Sequence, residues 1–340
     1  MMRVLRWLLV TVLLVLVGLG SVAYVAHEKL SEPVVTGEAP LRLVIEPGMS
    51  FATVAKTLRD AGGYGSPTLL TYYARYREVA DKVQAGEYLI APNTGVHALF
   101  KQLVDGDVVL QSITVVEGWN FRELRAALAA HPDLRQTLPS RSDEEIMATL
   151  GVPDQHPEGR FFPDTYSFAR GTTDLVILRN AHTAMIDRLA SAWAGRTNDC
   201  PLTSPTQALI LASIIEKETG RADERAQIAG VFCRRLTKGM RLQTDPTVIY
   251  GLGPTFNGDI TRRDLRTDTP YNTYTRDGLP PTPIALPGAD SLAAAVAPAS
   301  GDTLYFVATG DGDGGHYFSK TLTEHNQALA RYLKALRAPK

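Results

Sequence analysis

The sequence predicts an α+β protein: a single N-terminal transmembrane helix, short strand–helix modules after it, and then a C-terminal α+β domain. Three observations lead there. Trp7–Ala26 is apolar and carries no charge. Segments 41–58, 86–106 and 113–128 each read as strand, turn and helix. Residues 204–220, SPTQALILASIIEKETG, read as a buried helix that ends on carboxylates.

The N-terminal run is long enough to cross a hydrocarbon core of about 30 Å. Arg3 and Arg6 precede it and Glu28 follows. An excess of cations before the span places the N-terminus in the cytoplasm. The expected order is a cytoplasmic tail at 1–6, a transmembrane helix at 7–26 and a short linker at 27–40. The rival is a cleaved signal peptide, with Ser21-Val22-Ala23 as a small-residue cleavage site. The apolar run is longer than a usual signal core and continues past that site, which favours a retained single-pass anchor in the inner membrane. Under either reading the rest of the chain is exported to the periplasmic side. Charged residues are 21% of the chain and the net charge is −1, so no bulk electrostatic case exists for nucleic acid binding. Cys200 and Cys233 allow one disulfide in an oxidising compartment, or two buried thiols. No Cys/His spacing suggests a metal.

At 41–58, LRLVIEPGMSFATVAKTL, a strand meets a turn at Pro47-Gly48 and then a helix with Ser50 near its cap. GEYLIAPNTGVHALFKQLVDG at 86–106 and ITVVEGWNFRELRAAL at 113–128 repeat the layout. Residues 44–51, VIEPGMSF, resemble LysM-type modules, which bind glycans containing N-acetylglucosamine. That resemblance implies a LysM-like module over 41–112, followed by a second strand–helix module and connecting region over 113–200. Within the latter, 140–152 reads as a helix with an acidic first turn. EGRFFPDTYSF reads as an aromatic packed loop, with Phe161, Phe162, Tyr166 and Phe168 in the core.

In the 204–220 helix, Ser204 is the N-cap, Pro205 suits the first helical position, Gln207 completes a capping box and Gly220 is the stop. From Ala208 to Ile215 the segment is apolar almost all round, as a core helix is. The helix nevertheless finishes on Glu216, Lys217 and Glu218. Two residues apart is roughly 200° apart, so the two glutamates face different ways. Glu218 lies above Leu211, Ile214 and Ile215, the more apolar side. Desolvation and the negative end of the helix dipole both raise a carboxyl pKa. A carboxyl protonated near neutral pH is what a general acid requires. The plainer alternative is a solvated helix end with ion-paired glutamates.

A second helix is expected over 223–239, capped by Asp223 and stopped by Gly239. Beyond it, MRLQTDPTVIYG at 240–251, PYNTY at 270–274 and GLPPTPI at 278–284 read as polar-aromatic loops. LYFVATGDGDGGHYFS at 304–319 reads as two strands, with its Asp/Gly run a turn rather than a calcium loop. His316 sits at a candidate cleft edge, though a lone strand histidine has an ordinary structural use. Residues 321–336 form a closing amphipathic helix.

ASIIEKET, RLQTDPTVIYG, YNTY, GLPPTPI, EGRFFPDTY and the 304–319 hairpin together resemble the YceG-like family of membrane-bound endolytic murein transglycosylases. The resemblance runs over roughly residues 40–335. It implies a catalytic transglycosylase domain at 201–340, with Glu218 as the catalytic acid, the residue the helical-face argument selects. It also implies a peptidoglycan glycan-strand substrate, no cofactor and no metal. Penicillin-binding proteins or other peptidoglycan synthases are the expected partners. Polar and aromatic groups for a sugar cleft are Glu216, Arg241, Gln243, Asp245, Tyr271, Asn272 and Tyr274, with His316 at the edge. Two alternatives stand: a two-carboxylate hydrolase pairing Glu218 with Asp245, and a non-catalytic membrane-anchored glycan-binding scaffold.

Overall fold

The computed structural model describes residues 2–63 and 65–337. Met1 of the expected tail, Tyr64, and residues 338–340 of the expected catalytic domain lie outside the described residues. The chain divides into two compact units. The first holds Met1–Ser112 with the short pieces Asp133–Arg135 and Ser167–Thr172; the second holds everything else.

The first unit contains α1 (Met2–Ser31), β1 (Leu41–Ile45), α2 (Phe51–Asp60), α3 (Pro67–Tyr76), β2 (Gly86–Ile90) and α4 (Val96–Asp105). Within the span Arg6–Ser31 the most apolar 18-residue window has a mean hydropathy of 2.6, and none of that window is buried inside the protein. β1 and β2 pair antiparallel, with Leu43 opposite Tyr88. Alternation along β1 turns Leu41, Leu43 and Ile45 inward, where they meet Val54 and Leu58 of α2, Leu70 and Ala74 of α3, and Leu99 and Leu103 of α4. Ser50 caps α2 by accepting from Thr53 N–H, and Ser66 caps α3, whose first residue is Pro67. α4 ends on Gly106, at φ 71. Within the segment 27–40 expected as a linker, α1 continues to Ser31 and Val34 and Val35 are buried. Val34 N–H donates to Thr94 O and Asn93 N–H to Val35 O, at 2.7 and 2.8 Å.

The chain passes from the first unit to the second along β3 (Leu110–Thr114). There follow α5 (Phe121–Ala130), α6 (Asp143–Thr149), β4 (Thr165–Ala169), α7 (Asp174–Ala194), α8 (Pro205–Glu218), α9 (Arg225–Thr237), α10 (Asp245–Leu252), α11 (Arg262–Arg266), α12 (Ala289–Val296), β5 (Tyr305–Ala308), β6 (His316–Ser319) and α13 (Leu322–Arg337). β3 pairs with β4 and β5 with β6. The whole is a mixed helix–sheet protein in which helix dominates and each sheet has two strands.

The core of the second unit is built on α8. Every residue from Ala208 to Ile215 is buried. α8 packs on α7, α9, α10 and α12, which together cover its circumference. Ser213, the one hydroxyl in this run, accepts from Ile284 N–H at 3.0 Å and donates to Ile210 O at 2.7 Å. The GLPPTPI loop is thereby fastened to the helix. Lys217 reaches out to Gly118 O at 3.1 Å. Cys200 and Cys233 form a disulfide that ties the entry to α8 to the middle of α9, so the disulfide rather than the free thiols is the observed state.

Local expectations need four corrections. Gln207 does not close a capping box: Ser204 accepts from Gln207 N–H, but the Gln207 side chain takes Thr203 N–H instead. α8 stops at Glu218, two residues before Gly220, because Thr219 is extended at φ −146. α9 begins after Glu224 rather than at an Asp223 cap, since Asp223 is held by Arg221 at 2.7 Å. Residues 245–252 are helical, not loop: Thr244 is extended before them and Pro246 occupies the first turn, where its missing N–H is harmless.

Because the disulfide closes a long segment, Cys200→Ser is expected to lower stability by about 2–4 kcal/mol. Chemical denaturation of the intact chain with and without reductant measures this; equal midpoints would show that the bond does not form.

Candidate active site

Glu218 ends α8 and enters a cleft of about 450 Å³ in the second unit. The cleft is lined by Glu218, Arg235, Gln243, Thr244, Asp245, Tyr274, Tyr305 and His325, with Leu242, Phe306, Val307, Leu322 and Leu329 as its apolar wall. Burial pushes the Glu218 carboxyl up to about 7, and the neighbouring Asp245 charge pushes the same way. The Thr244 hydroxyl, which donates to Glu218 Oε1, and the Arg235 guanidinium oppose it without cancelling it.

Thr244 is itself fixed by a small hydroxyl cluster. Its N–H donates to Thr273 Oγ1 at 3.1 Å, and its carbonyl accepts from Thr247 Oγ1 at 2.8 Å. All three threonines are buried. Gln243 precedes them in a left-handed conformation, φ 51, and its N–H donates to Thr273 O at 3.2 Å. Asp245 Oδ1 accepts from the Tyr274 hydroxyl at 2.6 Å. Burial and that carboxylate both raise the Tyr274 pKa, so the phenol stays protonated as a donor.

Arg235 is buried, and its donors are committed to main-chain oxygens: Leu304 O at 2.7 Å, Leu242 O at 2.9 Å and Arg241 O at 3.2 Å. Its guanidinium also lies over the Tyr305 ring at 5.1 Å. His325 stacks on Tyr305, with centroids 5.3 Å apart. His325 Nδ1 is buried with no hydrogen-bond partner among the described residues.

Of the residues expected at a sugar cleft, Glu218, Gln243, Asp245 and Tyr274 line it together. Arg241 is exposed and not part of the lining, donating to Tyr274 O at 3.0 Å and to Asp277 at 2.9 Å. Asn272 is buried and spends its amide on Asp264 O, Leu265 O and Thr267 O while accepting from Tyr274 N–H, so it shapes the YNTY loop. Tyr271 bonds Thr282 at 2.8 Å and packs edge-on against Tyr250. Glu216 faces away from the cleft, accepting from Gly288 N–H at 2.9 Å with Arg225 nearby at 3.9 Å. Arg221 pairs with Asp223 and Asp313. His316 Nδ1 meets Glu224 at 2.7 Å, which makes it a strut between β6 and the start of α9.

Arg235, Thr244, Tyr305 and His325 escaped the sequence reading. Thr244 sits inside the RLQTDPT run, but nothing in the sequence says that its hydroxyl meets Glu218. Glu158 also escaped. It is buried, accepts from Phe121 N–H at 3.0 and 3.2 Å and from Tyr250 OH at 3.0 Å, and is pushed up to about 7 by burial. It pins the start of α5 from a place outside the cleft lining.

The fold and cleft define a class: a helix-rich protein with one raised carboxyl in an open polar-aromatic cleft, the arrangement general acid catalysis needs. Comparison with known proteins narrows it. The YceG-like family profile matches residues 43–331. An endolytic murein transglycosylase of Bacillus subtilis (strain 168) is 32% identical over 331 residues, covering 92% of this chain and 91% of that protein. An endolytic murein transglycosylase of Streptococcus pneumoniae serotype 2 (strain D39 / NCTC 7466) is 27% identical over 323 residues, 86% of this chain but 58% of that longer protein. A crystal structure of a yceG-like protein from Listeria monocytogenes superposes with a TM-score of 0.53 at 30% identity, covering 86% of this chain and 99% of that one. The chain belongs to the YceG-like family.

Glu218 binds its proton more tightly folded than unfolded, at about 7 against an ordinary 4.5. Its contribution to stability is therefore fully present at acid pH and is lost as pH rises through 7. Replacing it by Gln removes that loss. Thermal melts should show Glu218→Gln gaining on wild type between about pH 5 and about pH 8; parallel curves would mean that the carboxyl is not raised.

Proposed function

We propose that this chain is an endolytic peptidoglycan lytic transglycosylase in which Glu218 acts first as acid and then as base. Membership of the YceG-like family carries the reaction class. The raised carboxyl in the cleft is the observation that supports assigning it to Glu218. Glu218 donates its proton to the oxygen bridging N-acetylmuramic acid and N-acetylglucosamine as the C1–O bond breaks. The muramoyl ring passes through an oxocarbenium-like transition state. Glu218, now a carboxylate, takes the proton of the C6 hydroxyl, and that oxygen closes on C1. The products are a 1,6-anhydromuramoyl end and a free 4-hydroxyl on the departing N-acetylglucosamine. No water is consumed, so one carboxyl suffices for both proton transfers.

Gln243 and Tyr274 are suited to hold sugar hydroxyl and N-acetyl groups. Asp245 orients the Tyr274 hydroxyl and keeps the Glu218 proton in place through its charge. Glu216, Arg241, Tyr271, Asn272 and His316 support the loops around the cleft.

In this reading α1 is a retained single-pass anchor over 7–26, with the tail at 1–6 in the cytoplasm and the rest on the periplasmic face of the inner membrane. Residues 41–112 form a LysM-like module, 113–200 a second strand–helix module and connecting region, and 201–340 the catalytic domain. A strand cleaved close to the membrane is one still being made. Peptidoglycan synthases, penicillin-binding proteins among them, are the partners that would supply it.

The test is mass spectrometry of sacculi digested by the detergent-solubilised full chain beside Glu218→Gln. Anhydro-ended products from wild type alone support the proposal. Reducing ends would point to hydrolysis with Asp245 as the second carboxylate. Binding to sacculi without any product would favour a glycan-binding scaffold.

Two further outcomes follow from the electrostatics. The acid must be protonated, so kcat/KM should fall as pH rises through about 7. Thr244→Val deletes a donor that stabilises the carboxylate, and so should move that alkaline limb to higher pH; an unmoved limb would assign it to another group.

A further inference from the structure

The first unit carries an exposed face that the proposed reaction does not use. α2 and α3 flank a groove of about 320 Å³ whose lining includes Lys56, Arg59, Tyr72 and Arg75. Three cations stand there against the carboxylate of Asp60, which pairs with Arg59 at 3.3 Å. Beside them Tyr72 and Tyr76 are 66% and 81% exposed. Tyrosine is amphipathic, and such exposure of neighbouring rings marks a surface that meets something other than bulk water.

The position of α1 says what that is. Leu69 of α3 shares an apolar crevice with Val22, Val25, Ala26 and Lys29 of α1. Val22–Ala26 are the last turn of the apolar run, just before His27, Glu28 and Lys29. Leu69 is therefore level with the outer edge of the hydrocarbon. Leu69, Tyr72 and Tyr76 stand at i, i+3 and i+7 on one stripe of α3, which leads from that edge along the helix. Aromatic rings at the headgroup level and cations beside them are the composition that membrane interfaces select.

We propose that the α2–α3 face docks on the outer surface of the membrane that α1 crosses, with Tyr72 and Tyr76 in the interfacial zone and Lys56, Arg59 and Arg75 on anionic lipid phosphates. This rests on the reading of α1 as a retained anchor. Docking fixes the first unit against the bilayer instead of leaving it tethered by one helix.

Hydrogen exchange of the full chain in nanodiscs, with and without phosphatidylglycerol in phosphatidylcholine, tests this. Segments 51–60 and 67–76 should exchange more slowly in the anionic discs. The combined reversal Lys56→Glu, Arg59→Glu and Arg75→Glu should abolish the difference, with engagement weakened by about fivefold or more per cation. Peptides over 86–105, which hold core residues of the same unit outside the α2–α3 face, report whether the variant is folded. Tyr72→Ser with Tyr76→Ser should reduce protection without reversing any charge. Equal exchange in both lipids overturns the proposal, as does protection that appears only on adding glycan fragments. The anchor is read separately: slow exchange over 7–26 and an intact N-terminal mass support it whatever α2 and α3 do. A mature chain beginning after Ala23 would overturn both.

Discussion

The constraint on which the site depends is the complete enclosure of α8. A helix buried on one side can roll or shift on its neighbours. A helix apolar all round and covered by α7, α9, α10 and α12 cannot, because any rotation would open voids against close-packed side chains. Its last turn is held where the core leaves it. Glu218 therefore emerges at a fixed point, and the same enclosure withholds the water that would solvate its carboxylate. Position and raised pKa share one cause.

Around that acid the polar groups are arranged in pairs that settle each other. Thr244 answers Glu218, Thr247 and Thr273 answer Thr244, and Tyr274 answers Asp245. A buried polar network is favourable only when its members are satisfied. Here the satisfaction extends outward to Asn272, which holds the loop that supplies Thr273 and Tyr274. Arg235 behaves differently. Among the described residues no carboxylate lies within bonding distance of it; carbonyl oxygens and the Tyr305 ring surround it instead. That leaves its field free to act on Glu218, and it tempers the rise in pKa.

What the sequence disclosed follows from which forces are local. Period and caps placed α2, α4, α5 and α13, and the alternation of Leu41, Leu43 and Ile45 placed β1, because each pattern is written within one element. That Glu216 and Glu218 face different ways is likewise legible, since it needs only the angle between residues on one helix. The caps at the starts of α8 and α9 differ from the expected ones because near neighbours along the chain take those side chains: Gln207 accepts from Thr203 N–H, and Arg221 holds Asp223. α10 hid inside a run whose Pro and polar residues look like loop. Arg235, Tyr305 and His325 could not be read as a site, because α9, β5 and α13 are far apart along the chain and only folding brings them to one cleft. Asn272 and His316 were legible as important residues, but not as struts, for the same reason.

The backbone of Gln243 carries one more consequence. A residue with a β-carbon resists the left-handed conformation by roughly 1–2 kcal/mol, whereas glycine enters it freely. The chain is rich in glycine at other turns, yet it places a long amide at this one. The twist aims Gln243 into the cleft and presents its N–H to Thr273, just before the residue that touches the acid. A turn that tolerates such strain is a preloaded spring. It sets the direction of Thr244 before any sugar arrives, so the hydrogen bond to Glu218 need not be assembled by the substrate.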